Sequence, residues 1–301
     1  MYIMNRDIFT ERQVMRERYF EFFHYYDEVP PEVGFHQHPF YEVFFFLSGN
    51  VHYCIEGKTY HLRPGDILLT NNMDIHRPEI QPGTPYERFV IWLADDYFER
   101  VRECGDDISK CFHDAASKDY RLIRPDHDTL IRLKALCDQI AEVKGRQELG
   151  CFTLSSAYLM EFLVYLSRSY YATPDSVRQD VTEDNKINHV LLYVNEHITM
   201  DLTLDSLAEQ FYISKFHLSK LFKQYTGMSI YQYIIKKRIT IARNLLLTGI
   251  SVTQACLDCG FHDYSNFLKA FKREFGMNPR EYCKSHSFDP LAVSGASESV
   301  T

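Results

Sequence analysis

Residues 214–223 read SKFHLSKLFK and residues 263–272 read DYSNFLKAFK. In the first stretch Leu218, Leu221 and Phe222 recur at i, i+3 and i+4. In the second, Phe267 and Phe271, continued by Phe275, recur every four residues. Each spacing lines one face of an α-helix with apolar side chains. The outer faces carry Lys215, Phe216, Ser219, Lys220 and Lys223 on one helix, and Tyr264, Ser265, Asn266, Lys269 and Lys272 on the other. Ser214 and Asp263 are N-cap residues, because their side-chain oxygens can accept from orphan N–H groups of the first turn. Gly227 and Gly276 close the helices in a conformation that costs glycine little. A shorter apolar pattern precedes each stretch: Leu204, Leu207, Ala208 and Ile213, then Ile250, Val252, Ala255, Cys256, Gly260 and Phe261. Each unit therefore reads as helix, tight turn, and a second helix with an outer face of Lys. Two solvated faces on an ordinary helical bundle are the plainer alternative. The same residue types at matching offsets, twice, argue against it.

Tyr231 to Leu247 lies between the units and lacks Gly and Pro. As one helix it spans roughly 25 Å at about 1.5 Å per residue. That length suits two reading helices set near the roughly 34 Å separation of successive major-groove faces.

Residues 186–284 resemble the DNA-binding domain of the AraC/XylS family of bacterial transcription regulators. The resemblance rests on Leu207-Ala208, Ser214–Lys223, Arg238-x3-Ala242-x2-Leu245-Leu246, Ile250-Ser251-Val252, Gly260-Phe261, Phe267-x3-Phe271-Lys272 and Phe275-Gly276-x2-Pro279-x2-Tyr282. It implies that the helices starting at Ser214 and Asp263 enter the major groove. Where family members often carry Arg or Gln, this chain has Ser219, Lys220, Ser265 and Lys269. Lys lacks the planar fork with which Arg reads guanine.

A chain of 301 residues suggests two domains. With 45% hydrophobic and 25% charged residues its composition is that of a globular protein. Apolar runs such as Val43–Leu47 are far too short to cross a bilayer, and the opening MYIMNRDIFTERQ has no apolar signal-peptide core. A cytoplasmic location is expected, with no membrane partner. The net charge of −8 argues against DNA until its distribution is read. Asn185 to His286 holds 13 Lys+Arg against 8 Asp+Glu, and the remainder holds 20 against 33. An acidic body with a basic tip suits a sensor joined to a nucleic-acid reader. The eight Cys form no evident framework and read as free thiols. Cys256-x2-Cys259 falls where a helix-turn-helix needs small apolar packing, and core packing is the expectation there.

The front half alternates in short runs. Tyr19–Tyr26, Glu42–Leu47, Val51–Ile55, Lys58–Leu62, Ile67–Thr70 and Arg88–Leu93 are strand candidates, with turns at Ser48-Gly49-Asn50, Glu56-Gly57 and Pro64-Gly65-Asp66. This predicts a sandwich or small β-barrel. From Asp95 the pattern turns helical, with Asp126–Lys144 and Glu148–Tyr170 as an antiparallel pair. The expected organisation is a sensor and dimerisation domain at 1–171, a linker at 172–184, an all-α DNA-binding domain at 185–286, and a disordered tail at 287–301.

His36-x-His38-x3-Glu42-x6-Gly49 resembles the first cupin motif, and Pro64-Gly65-Asp66 followed by His76 resembles part of the second. Residues i and i+2 of a strand share a face, so His36 and His38 can converge inside a barrel, where Glu42 and His76 can join them. Three readings stand open: contacts to a bound effector, a structural polar cluster, or a site for Zn, Mn, Fe or Ni. No cofactor and no catalytic residue are assigned. Tyr, His and Glu side chains suit a polar effector, a sugar or sugar derivative first. Trp92, the lone Trp, is a further lining candidate, with ordinary strand core as its alternative. Leu130, Leu133, Leu136 and Ile140, with Leu154, Tyr158, Phe162, Tyr165 and Leu166, form helical stripes expected to pair between subunits, the alternative being burial within one subunit.

The expected function is an effector-responsive transcription regulator, an activator before a repressor. It is a homodimer on double-stranded DNA that contacts RNA polymerase if it activates. The alternatives are a metal-dependent cupin enzyme fused to a DNA reader, and a constitutive DNA-binding protein whose front half only dimerises.

Overall fold

The computed structural model describes residues 6–10, 12–72, 74–103, 105, 107–118, 120–146, 148–172, 181–182 and 186–286. Two units divide the chain, residues 1–189 and 190–301.

In the first unit, alternation along β2 (Tyr41–Ser48) sets the layers. Tyr41, Val43 and Phe45 join one apolar core with the helices, while Phe44 and Phe46 join another. The strand is covered on both faces, which is why it reads as a nearly continuous apolar run. Around it β1 (Phe20–Asp27), β5 (Ile67–Thr70), β7 (Tyr86–Leu93) and β8 (Leu122–Ile123) form a sheet in the order β1-β7-β2-β5-β8. A second sheet, ordered β6-β3-β4-β9, contains β3 (Val51–Ile55), β4 (Lys58–His61), β6 (His76–Ile80) and β9 (Val181–Thr182). Between the sheets lies a core of Tyr25, Phe44, Phe46, Tyr53, Tyr60, Leu68, Tyr86, Val90 and Trp92. The strand-rich, cupin-like domain of the sequence reading is thus present.

The sequence reading lacks β6. Its HRPEI contains Pro78, which argues against a central strand, but β6 lies at a sheet edge, where Pro is tolerated. The expected linker also needs revision: Ala172 ends a helix, and Val181–Thr182 pair with Tyr60 and Thr59 of β4. The rest of 172–184, and the tail 287–301, fall outside the described residues.

The outer face of the first sheet is covered by α1 (Asp95–Arg102), α2 (Lys110–Ser117), α3 (His127–Lys144) and α4 (Cys151–Ala172). Asp126 caps α3 by accepting from the Asp128 and Thr129 amides. Leu133 is 0% exposed, and Leu136, Ile140, Phe162 and Leu166 are buried in the same core, with Leu130, Tyr158 and Tyr165 packed against it. This corrects the expected subunit contact for those side chains: the sheet's apolar outer face needs a cover, and these stripes supply it within the chain. Of the stripe residues, Leu154 is exposed.

The second unit is helical. It holds most of α5 (Lys186–Glu196), then α6 (Leu204–Gln210), α7 (Lys215–Thr226), α8 (Ile230–Leu247), α9 (Val252–Asp258), α10 (Tyr264–Phe275) and α11 (Pro279–His286). The uninterrupted helix read between the two helix-turn-helix patterns is α8, opened by a capping box of Ser229 and Gln232. Arg238 on α8 is buried and donates to the carbonyls of Ile198 and Met200. Cys256 and Cys259 are buried in the core of α8–α11. No helix among the described residues is long and apolar enough to cross a membrane.

Candidate functional site

Two features of the chain carry chemistry, one in each unit. In the second, α6–α7 and α9–α10 are helix-turn-helix pairs with the same turn. The amide of Ile213 donates to Ala208 O at 3.0 Å, and that of Phe261 to Cys256 O at 3.0 Å. Both turns need a residue at positive φ: Tyr212 at 53° in the first and Gly260 at 90° in the second. Ser214 accepts from the His217 amide and Asp263 from the Asn266 amide, which starts α7 and α10. Gly227 and Gly276 end them at φ 76° and 74°. Leu218 and Phe222 face inward on α7, as do Phe267 and Phe271 on α10.

Lys215, Lys220, Lys223, Ser265, Asn266, Lys269 and Lys272 are exposed, as are Phe216 at 80% and Tyr264. Ser219 is half-buried. Lys215 pairs with Asp205 at 2.5 Å, both exposed. Tyr212, 94% exposed beside α7, was not among the expected contact residues. Its signal was its place at the turn position that Gly260 occupies in the other unit.

In the first unit, β2 parity turns Glu42 inward with Phe44 and Phe46, and strand register sets it directly against Trp92. Trp92 Nε1 donates to Glu42 Oε2 at 2.8 Å, and the Tyr53 hydroxyl donates to Oε1 at 3.3 Å. His36 and His76 form an antiparallel bridge through two backbone hydrogen bonds, 3.1 and 3.0 Å. His38 Nε2 lies 3.4 Å from Glu42 Oε2, and His76 Nε2 lies 3.9 Å from Oε1. His36, His38, Glu42 and Trp92 line a cavity of about 270 Å³, together with Arg12 and Tyr53. His76 does not line it. His76 is fully buried, with the His36 ring 4.2 Å away, because the bridge lays one histidine against the other. Tyr53 and Arg12 escaped the sequence reading: Tyr53 joins only through sheet register, and Arg12 comes from the segment ahead of β1.

Burial pushes His76 down to about 3, with His36 and His38 adding to the effect. Burial lowers His36 too. Burial would raise Glu42, yet the neighbouring imidazoles hold it down to about 2. The direction agrees with the geometry, since two donors are aimed at the carboxylate. The carboxylate is thus held ionised although buried, beside His36 and His76, whose burial disfavours their imidazolium forms.

The donor set suits a metal ion. One ring nitrogen each of His36, His38 and His76 lies within 4.8 Å of the others. Imidazole nitrogens favour borderline ions such as Zn, Ni or Fe. Bound there, such an ion would supply a Lewis-acidic position.

Residues 23–163 match the AraC-like ligand binding domain, and residues 207–285 match a helix-turn-helix domain. Among curated relatives, the HTH-type transcriptional activator RhaS of Escherichia fergusonii is 25% identical over 247 residues, covering 82% of this chain and 86% of that one. A solved AraC-type regulator structure from Chromobacterium violaceum is 30% identical, covering 34% of this chain and 92% of that chain, with a TM-score of 0.32. Fatty-acid-bound ToxT from Vibrio cholerae is 16% identical, covering 89% of this chain and 97% of that chain, with a TM-score of 0.38.

Proposed function

The chain belongs to the AraC/XylS family of transcription regulators, and from that premise we propose that it is a cytoplasmic activator switched by a small polar effector. The observation that carries the reading is a division of labour within one chain. One unit holds an ionised carboxylate, clamped by Trp92 and Tyr53, on the wall of a cavity. The other presents two capped helices with exposed Lys.

A cavity of about 270 Å³ sits at the small end of ligand pockets, so the effector is of monosaccharide size. Glu42 and the imidazoles would bond its hydroxyls, and the Trp92 ring would meet its carbon face. The relative RhaS is named as an activator, and activation is proposed here on that likeness. Binding would shift the populations of two arrangements of the DNA-binding units. A homodimer would offer four reading helices and gain avidity through effective concentration. With Leu133 and Leu136 in the core, its contact falls to exposed apolar side chains of α3 and α4 such as Ile131, Phe152 and Leu154.

The test is a thermal-shift screen of monosaccharides and their acids, followed by DNA affinity with and without any hit. A ligand specific for the folded state adds about 2.7 kcal/mol at a hundredfold its dissociation constant. Glu42→Gln should weaken the response ten- to a hundredfold and leave ligand-free DNA affinity intact. A parent-like response in Glu42→Gln would remove the cavity from sensing.

A further inference from the structure

We propose that the first unit holds a second small-molecule site, beside the edge strand β1, that takes a compact aromatic anion, and that its occupant is felt in the first cavity through Arg12. The consequence for sensing rests on the role proposed for the first cavity; the second site itself does not.

A cavity of about 400 Å³ opens between β1, the end of α3 and the first turns of α4, with the segment ahead of β1 along one side. Its floor is apolar, made by Phe20, Phe22, Ile140 and Phe152. The Phe152 ring stacks on Phe20, with centroids 5.6 Å apart and 26° between the planes, yet Phe152 is 50% exposed. A flat ring entering the cavity extends that stack and covers the apolar surface left open to water.

The second, independent observation is a hydroxyl. Ser155 lines the same cavity, is 6% exposed, and makes no hydrogen bond among the described residues. A serine inside a helix commonly turns its hydroxyl back to the carbonyl four residues earlier, and Ser155 does not. Buried polar groups rarely stay unpaired, since desolvation is then uncompensated. An oxygen acceptor on the ligand completes it.

Charge sets the sign of the ligand. Arg12, Arg16 and Lys144 line the cavity against Glu17 and Glu21. Arg12 is held by Glu21, and Lys144 donates to Asp7 and to the Phe22 carbonyl. The Arg16 guanidinium has no ion pair or hydrogen bond among the described residues. Its planar fork suits the paired oxygens of a carboxylate or sulfonate. The ligand is then a flat apolar ring carrying one anionic group.

Arg12 lines both cavities. Its guanidinium lies 5.0 Å from the centre of the Trp92 ring, and Trp92 donates to Glu42. An occupant that displaces Arg12 changes the surroundings of Trp92 and with them the hold on Glu42. By linkage, an effector in the first cavity alters affinity at the second by the same factor.

Cys151 supplies the readout. It lines the second cavity and is partly exposed, as is Cys283 in the other unit, which serves as the control. Full-length protein is alkylated with iodoacetamide at rising concentrations of 4-toluenesulfonate, an aromatic anion transparent where Trp92 is excited. Modification is read peptide by peptide by mass spectrometry. We expect saturable protection of Cys151, at least fivefold, none of Cys283, and a change in Trp92 emission with the same midpoint. Phe152→Ala and Arg16→Gln, at exposed positions that tolerate truncation, should each raise the midpoint at least threefold. Ser155→Phe, which fills the cavity, should abolish protection where it folds. The uncharged 4-toluenesulfonamide should protect at least threefold more weakly. Arg12→Lys, which keeps a charge for Glu21 and loses the flat contact with Trp92, should retain protection and lose most of the emission change.

No protection of Cys151, or an unchanged midpoint in both Phe152→Ala and Arg16→Gln, overturns the site. An emission change without protection puts the probe in the first cavity and does the same. Equal protection by the sulfonamide overturns the anionic class. Alkylation that slows with protein concentration alone means that a second copy covers the cavity, and overturns the ligand. Unchanged emission at full protection, or a full change in Arg12→Lys, refutes the route through Arg12 and leaves the site. A parent-like effector response in Glu42→Gln refutes sensing by the first cavity and leaves Cys151 protection untouched.

Discussion

Replacing Gly260 by Ala should damage the DNA-binding unit far more than the same change at Gly227 or Gly276. All three glycines have positive φ, at 90°, 76° and 74°, so each alanine meets backbone strain of about 1–3 kcal/mol. Their surroundings differ. A Cβ at Gly227 or Gly276 meets nothing within 4 Å, whereas at Gly260 it would lie 2.7 Å from Thr199 O, 2.8 Å from Thr199 Cα and 3.0 Å from Arg238 Nε. Backbone cannot swing aside as a flexible side chain can, so overpacking adds about 1–3 kcal/mol. The clash also pushes on Arg238, whose guanidinium holds Ile198 O and Met200 O. Losing one such charge-assisted bond costs about 1.5–3 kcal/mol. The total, on the order of 4–8 kcal/mol, rivals the whole stability of a typical domain at roughly 5–15 kcal/mol. The assay is thermal unfolding of the full chain by far-ultraviolet circular dichroism. Fluorescence of Trp92, the only Trp, reports the first unit separately. Gly260→Ala should lose helical signal and DNA affinity at temperatures where Gly276→Ala keeps both. A Gly260→Ala protein within about 0.5 kcal/mol of Gly276→Ala would refute the reasoning, because mutual crowding is all that separates the two sites.

Three further outcomes are expected. Lys223→Ala and Lys272→Ala, near the ends of α7 and α10, should each flatten the log–log salt dependence of DNA binding by about 0.9, as loss of one phosphate contact does; an unchanged slope places them off the interface. Lys220→Ala and Lys269→Ala should each cost roughly 1–3 kcal/mol on the specific site and little on random duplex, and equal losses on both would make them backbone contacts. Burial pushes the half-buried Asp138 carboxyl up, against the pull of Lys134 and His24. A raised folded-state value means full stability below the unfolded value of about 3.9, lost as pH rises through the raised one. Asp138→Asn should therefore match the parent in urea midpoint at about pH 3.5 and exceed it increasingly toward pH 7, whereas a pH-independent difference would contradict this.

Helices α7 and α10 were legible because everything that makes them is local. Ser214 and Asp263 cap within three residues, Gly227 and Gly276 close within four, and the apolar stripes recur at helical spacing. Val51–Ile55 and Ile67–Thr70 were equally plain as runs bounded by turns. Part of the pocket was legible too, since the His36-x-His38 spacing and Glu42 four residues on pointed to one site, although the histidines lie ahead of β2, with His36 in an isolated bridge, and not on one strand face as expected. The remainder belongs to tertiary structure. Periodicity shows that Leu133 and Leu136 share a face, but only the packed sheet shows what covers it. His76 reaches His36 through a bridge across forty residues, and Trp92 and Tyr53 reach Glu42 through strand register. Tyr212 and Gly260 fill the same turn, yet only one of them lies against Thr199 and Arg238. The physical reason is range. Caps, turns and amphipathic faces are set by neighbours within four residues, whereas a site assembled across strands depends on which distant residues the register brings opposite one another.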